Sequence, residues 1–212
     1  MVREIFNFEK VLKNLDFNQK IFQPNLTTKL SIETALEKIK NNDSVLDLGC
    51  GCGIIGITLL KNLSEIKMHC SDIHSIAIKS AKNNYVKNDL SADIRNGNLF
   101  EPWSEKKFDY ILINSPPIQG LSDTYLISQC CDKVLFIVTL NYVPRMLFYE
   151  SLKNIVSSTK SIPGILINIV DKKTQENETF KNKIYHYNYS NSSKPNNQLI
   201  LNNRYLTYYI KK

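Results

Sequence analysis

Three glycines at a spacing of two, Gly49, Gly51 and Gly53, follow the short apolar run Val45, Leu46 and Leu48. Lacking Cβ atoms, they let a ligand lie against bare main chain, where N–H groups of the turn and of the following helix start can face polar or negative atoms. A carboxylate, Asp72, stands 23 residues after Gly49, close to the roughly 20 expected for the acid that grips a ribose diol at the tip of the second strand of a nucleotide-binding unit. Two charge-assisted bonds to neighbouring hydroxyls need an anion there, so the pair points to a nucleoside ligand. Other readings stay open: a glycine turn with no ligand, Asp72 as the N-cap of the next helix, or a nicotinamide site, since Gly51–Gly56 reads G-C-G-I-I-G and fits the dinucleotide fingerprint. Further on, Asn114-Ser115-Pro116-Pro117 sets an amide and a hydroxyl beside two ring-locked residues. Two prolines stiffen such a loop and lower the entropy lost in ordering it. A structural turn would explain the prolines, but not their place at the end of a strand.

The elements that must hold these residues follow from periodicity. Val45–Leu48 reads as a strand buried on both faces, and Ile54–Leu63 as the helix after the turn, with Ile54, Ile57 and Leu60–Leu63 as its apolar stripe. Ile66–Ser71 is the second strand, Ser75–Val86 a helix, Ala92–Arg95 the third strand and Phe108–Ile113 the fourth, running directly into Asn114. Helix Ser122–Asp132, strand Lys133–Leu140, helix Pro144–Val156 and strands Ile165–Val170 and Tyr205–Ile210 complete the alternation. This is the signature of an α/β, doubly wound, mostly parallel sheet, whose ligands sit beyond the carboxyl ends of the strands. Upstream, Asn7–Asp16 has helical spacing in Phe8, Val11, Leu12 and Leu15. A second helix is expected to be N-capped by Thr27 or Thr28, to turn Leu30, Ala35, Leu36 and Ile39 inward, and to end at Asn41–Asp43. The Asn-, Lys-, Ser- and Tyr-rich stretch 171–203 reads as a long excursion, with a loose hairpin through Ile184–Tyr189.

Composition narrows the class. Hydrophobic residues make up 42% and charged residues 22% of the 212, which suits one globular domain with a real core, or one domain plus a small appendage. No apolar run approaches the roughly 20 residues of a membrane span, and the charged start V-R-E-I-F-N-F-E-K does not read as a secretory signal, so a cytoplasmic protein without membrane attachment is expected. The five cysteines, Cys50, Cys52, Cys70, Cys130 and Cys131, form no C-x-x-C and flank no paired histidines; they read as reduced and structural, with no metal site. The net charge of +7 is uneven: residues 1–44 carry 7 basic and 6 acidic side chains, 45–159 carry 11 of each, and 160–212 carry 9 basic and 3 acidic. A local basic surface suits an anionic partner such as RNA, although a basic tail without a partner is an equal reading.

With these pieces in order, the chain resembles the class I S-adenosylmethionine (AdoMet) methyltransferases, and within them the methyltransferase small domain group. That group includes release-factor glutamine, rRNA guanine-N2 and related adenine N6 enzymes. The resemblance is carried by V-L-D-L-G-C-G-C-G, S-D-I-H-S-I-A-I-K-S-A-K-N-N and G-N-L-F-E-P-W-S-E-K-K-F-D-Y-I-L-I-N-S-P-P-I. It implies a seven-stranded Rossmann-like sheet with an antiparallel last strand, a helical extension over 1–26, and a methyltransferase domain over 27–212 with 171–203 as a basic insertion. It also implies roles. Asp47 and the turn Gly49, Cys50, Gly51 and Gly53 would hold the methionine part of AdoMet, with Asp47 near the ammonium, and Thr28 would reach the same end. Asp72 would take the ribose and Ile73 would pack on the adenine. Asn98 and the Leu99 backbone would meet the adenine edge, Asn98 replacing the usual aspartate, a loss of charge that a neutral donor tolerates.

Asn114–Pro117 corresponds to the family's N-P-P-Y/F loop, whose amide and proline-flanked carbonyl accept hydrogen bonds from the target nitrogen and aim its lone pair at the methyl group. The chain departs from that pattern twice. One extra residue stands between Asp109 and the first proline, so Asn114 or Ser115 holds the amide position, and a bulge would be needed to restore Asn114. Ile118 replaces the usual aromatic, which weakens the adenine and glutamine readings more than the guanine one. The expected activity is AdoMet-dependent N-methylation of an RNA base or of glutamine in a ribosomal or translation-factor protein, with RNA ahead. Tyr185, Tyr187, Tyr189, Arg204 and Tyr205 in the basic quarter offer stacking and phosphate contacts for it, or else simple strand packing. A small-molecule acceptor, a non-catalytic AdoMet-binding or partner-binding module, and more remotely a nicotinamide dehydrogenase are the alternatives.

Overall fold

The computed structural model describes residues 8–16, 24, 26–63, 65–115, 123–139, 143–159, 164–168 and 206–210. The first β-α units run β1 (Ser44–Leu48), α3 (Ile54–Asn62), β2 (Lys67–Asp72), α4 (Ser75–Lys87), β3 (Asp93–Asn96) and β4 (Tyr110–Ser115). They follow α1 (Phe8–Lys13) and α2 (Leu26–Leu36) and precede α5 (Asp123–Gln129), β5 (Lys133–Thr139), α6 (Arg145–Ser158), β6 (Gly164–Asn168) and β7 (Leu206–Ile210). The strand order is β3-β2-β1-β4-β7-β5-β6. β3, β2, β1 and β4 are parallel neighbours, as are β5 and β6, while β7 runs antiparallel to β4 and β5. The sheet is thus mostly parallel.

Alternation across the strands divides the core in two. Val45, Met68, Cys70 and Leu112 turn to the face covered by α1 to α4, where they meet Val11, Ile32, Ile57, Leu59 and Tyr85. Leu46, Leu48, Ile111, Val134, Phe136 and Val138 turn to the other face, against Trp103, Phe108 and Ile155. Each aliphatic side chain so buried contributes roughly 1.5–3 kcal/mol. α1 belongs to the first of these cores: its Phe8 and Val11, with Leu15 just after it, are buried there.

Two expectations about α2 are corrected. It ends at Leu36, not at Asn41–Asp43, because the Lys40 amide donates to the Asp43 carboxylate and the Asn42 amide to the Glu65 carbonyl instead of to the helix. The helix begins at Leu26, so Thr27 and Thr28 lie inside its first turn, both buried, and neither caps it. For Thr28 the reason is tertiary: its hydroxyl accepts a hydrogen bond from Asn114 on β4. The excursion 171–203, with its expected hairpin, lies outside the described residues.

Candidate active site

The register of β4 decides what reaches the sheet's carboxyl edge. At the strand entrance the Asp109 carboxylate accepts from the Ser44 amide at 2.8 Å, and the Asp109 amide donates to the Ser44 carbonyl at 2.8 Å. Val45 to Leu48 then pair with Tyr110 to Ile113 without interruption. Asp47 pairs with Leu112, so Asn114, two residues on, falls on the Asp47 face. The pairing runs on without a bulge, so Asn114 and Ser115 fall on opposite faces. Ser115 turns to the opposite face and is buried. The Asn114 NH2 donates to Thr28 Oγ1 at 3.4 Å, which ties the end of β4 to α2. Pro116, Pro117 and Ile118 lie outside the described residues.

The glycine turn behaves differently from the expectation that its amides face a ligand. Gly49 and Cys50 both donate to the Ser71 carbonyl at 2.8 and 3.0 Å, Gly53 donates to Cys50 at 2.9 Å, and Gly51 donates to Asp72 Oδ2 at 3.0 Å. The end of β2 takes three of these donors and the turn itself takes the fourth, so the four amides turn inward. What the turn offers is shape. Gly49, Gly51 and Gly53 all have positive φ, at 78°, 54° and 83°, a backbone that only glycine adopts cheaply. Among the described residues, a Cβ on Gly49 would meet no atom within 4 Å, so none of them fills that position. Gly53 and Gly56 serve packing instead. A Cβ on Gly56 would lie 2.0 Å from the Tyr85 hydroxyl, and one on Gly53 2.9 Å from the Tyr85 ring.

Beneath the turn sits Asp47, fully buried, with neither carboxylate oxygen hydrogen-bonded among the described residues. Burial pushes its carboxyl up to about 7, the negative Asp72 adds to the rise, and the Gly56 amide works weakly the other way. A buried carboxylate without a partner is costly, and a cationic group brought beside it would relieve that cost. Orphaned acid and open glycine cradle together fit the ammonium and carboxylate-bearing end of AdoMet.

Asp72 is half-buried at the tip of β2. Its oxygens accept from Gly51 and, at 2.9 Å, from the His74 amide. It does not cap α4 directly, since His74 is the N-cap. Each oxygen keeps a second lone pair for a hydroxyl donor. Ile73 beside it is 59% exposed, a large apolar side chain at the sheet edge with a face to offer a base. From β3, the Asn96 amide donates to the Asp72 and Ile73 carbonyls at 2.8 and 3.0 Å, and the Gly97 amide to Asp72 at 3.2 Å. These bonds hold the acid's backbone in place. Asn96 escaped the sequence reading, although N-G-N at a strand end is a signal for it. Asn98 and Leu99 stand beyond Gly97, both exposed; the Asn98 amide donates to Glu101 at 3.2 Å, and Leu99 holds φ of 45°.

The two cysteines of the turn are held as thiols. All five are free thiols. A hydrogen bond with Cys70 and burial push Cys50 well up, and burial pushes Cys52 up to about 11, far from a reactive thiolate. Among the described residues no cluster of His, Cys, Asp and Glu could hold a metal, and no helix is long and apolar enough to cross a membrane. A groove of about 460 Å³ lined by Ile66 to His69 and Ser91 to Asp93 lies at the opposite, amino ends of the strands, away from all these residues.

The methyltransferase small domain family profile matches residues 16–130. The ribosomal RNA small subunit methyltransferase C of Actinobacillus pleuropneumoniae serotype 5b is 34% identical over 98 residues, 46% of this chain and 30% of that one. The release factor glutamine methyltransferase of Clostridium botulinum is 36% identical over 113 residues, 50% of this chain and 40% of that one. The chain thus spans well under half the length of either relative. Among solved structures, the precorrin 8w decarboxylase of Methanobacterium thermoautotrophicum superposes with a TM-score of 0.45 at 15% identity, over 55% of this chain and 75% of that one.

Proposed function

The chain belongs to the methyltransferase small domain family, and on that premise we propose that it is an AdoMet-dependent N-methyltransferase acting on an RNA base or on a protein glutamine, with RNA the better-supported acceptor. The observation that carries the reading is that Asp47, the Gly49 turn, Asp72 and the Asn114–Thr28 pair gather at one carboxyl edge of the sheet, Asp47 and Asn114 on the same face. When bound, AdoMet supplies an electrophilic methyl on its sulfonium, and the chain's part is to hold and aim. Asp47 meets the ammonium, with Thr28 at the same end, and Asp72 takes the ribose hydroxyls between its existing backbone bonds. Ile73 packs on the adenine, and Asn98 and the Leu99 backbone meet its edge. Asn114, tied to Thr28 through its NH2, supplies the side-chain amide to which a target N–H would donate. Pro116 and Pro117 then stiffen the loop that carries the acceptor nitrogen's second contact. Catalysis on this account is mainly positioning.

The same reading extends to architecture and setting. Residues 1–26 are a helical extension to a methyltransferase domain over 27–212, with 171–203 a basic insertion. The fold is the seven-stranded, doubly wound sheet with an antiparallel last strand, for which the pairing of β7 with β4 and β5 is support. The setting is cytoplasmic, where translation components are met. The names of the relatives, one an rRNA enzyme and one a release-factor enzyme, support both acceptor classes, and the basic last quarter favours RNA. Incubating the chain with isotopically labelled AdoMet, total RNA and ribosomal protein, followed by mass spectrometry of nucleosides and tryptic peptides, tests it. A labelled methylated base is expected, a labelled glutamine would move the acceptor to protein, and AdoMet binding with no transfer would make the chain a binding module.

A further inference from the structure

We infer that Asn84 is a positioning residue that locks the N-terminal segment onto the glycine turn, so that cofactor binding and the ordering of residues 8–16 are coupled. The inference rests on the turn being the cofactor cradle, as proposed above. Asn84 is fully buried on α4. Its Oδ1 accepts from the Asp16 amide at 2.8 Å, and its NH2 donates to the Asp16 carbonyl at 3.2 Å and to the Cys52 carbonyl at 3.0 Å. One side chain therefore holds both the end of the N-terminal segment and the middle of the turn, between Gly51 and Gly53.

Only an amide can do this, because the site needs one acceptor and two donors on a short side chain. Aspartate would face two carbonyl oxygens with a carboxylate, and leucine or alanine would leave buried main-chain groups unpaired. Holding the Cys52 carbonyl fixes the peptide that leads into Gly53, whose φ of 83° sets the start of α3. The link is reinforced on both sides. Ser80 Oγ donates to the Asp16 carbonyl at 3.1 Å, and Lys87 pairs with the Asp16 carboxylate. Ser80, Asn84 and Lys87 thus form one stripe of α4 at helical spacing, all directed at Asp16. The apolar contacts agree: Phe8, Val11 and Leu15 share a core with Cys50, Cys52 and Ile54.

The test combines amide hydrogen exchange with calorimetric titration of S-adenosylhomocysteine on the full chain. In ligand-free protein, Asn84→Asp should raise exchange both in residues 8–16 and in the turn 49–53, whereas Ser80→Ala, whose hydroxyl donates to the Asp16 carbonyl, should raise it in 8–16 alone. Adding S-adenosylhomocysteine to the unsubstituted chain should protect both segments. Asn84→Asp should weaken its binding by about tenfold, with the loss appearing in the KM for AdoMet more than in kcat. Turn exchange unchanged by Asn84→Asp, or ligand protection confined to the turn in the unsubstituted chain, overturns the inference. If Asn84→Asp does not fold, the unsubstituted chain's protection pattern alone decides. A chain that binds no S-adenosylhomocysteine removes the proposed function, while the ligand-free exchange still judges the link.

Discussion

At the scale of single residues, Asp47 carries the most unusual electrostatics. Its carboxyl keeps its proton up to about pH 7, against 3.8 for an ordinary aspartate, so the folded chain holds a proton that the unfolded chain releases. This group's stability contribution is therefore full below about pH 4, is lost as the pH rises towards 7, and is flat above. The total change is on the order of 4 kcal/mol. Asp47→Asn keeps the shape without the charge and should remove that slope. Thermal midpoints from pH 5 to 8 should fall more steeply for the unsubstituted chain than for the variant, and parallel curves would refute the assignment. A bound cation reverses the preference, since it wants the carboxylate. AdoMet affinity should rise with pH through the same window, and the variant should lose that rise along with about one to two orders of magnitude in affinity.

Among the elements, α3 and α4 meet where two glycines leave room for one tyrosine. Gly56→Ala would bring its methyl against the Tyr85 hydroxyl and should cost about 1–3 kcal/mol in urea unfolding. Tyr85→Phe in the same chain should return part of it, and no rescue would mean that the strain lies elsewhere. β4 gives the second element-scale prediction. Asn114→Ala should lower kcat about a hundredfold with AdoMet affinity nearly intact, whereas Ser115→Ala, on the opposite buried face, should act on stability alone. The reverse result would shift the amide position by one residue. These elements also divide what was readable in the chain from what was not. Gly49 and Asp72 owe their places at strand ends to local spacing, which the sequence carries directly, whereas the faces of Asn114 and Ser115 came only from the pairing of β4 with β1. The inward turn of the Gly49, Cys50 and Gly51 amides depends on Ser71 and Asp72 more than 20 residues away. Thr28 left its expected cap for a partner 86 residues distant, and Asn84 reaches back 68 residues to Asp16; no local pattern encodes such pairings.

For the whole molecule, charge and fold are kept apart along the chain. The stretch 45–159, which builds most of the sheet and the candidate site, is charge-balanced, and the net excess falls mainly in residues 160–212. On the function proposed above, this separation would divide labour: one part would hold a small cofactor, and the other would draw in a polyanion without having to select it. The division predicts a salt dependence. If Lys172, Lys173, Lys181 and Lys183 each neutralise one phosphate of a single-stranded acceptor, the slope of log affinity against log salt concentration should flatten by about 3 when all four become glutamate. AdoMet binding by the same variant should stay unchanged, because the groups proposed to hold the cofactor come from residues 28–114. Filter binding of an rRNA fragment from 50 to 300 mM salt, with calorimetry of AdoMet alongside, measures both. A slope that does not move would take the basic quarter out of RNA recognition and raise the protein acceptor above RNA, while a collapse of AdoMet binding would show that the two parts are not separate.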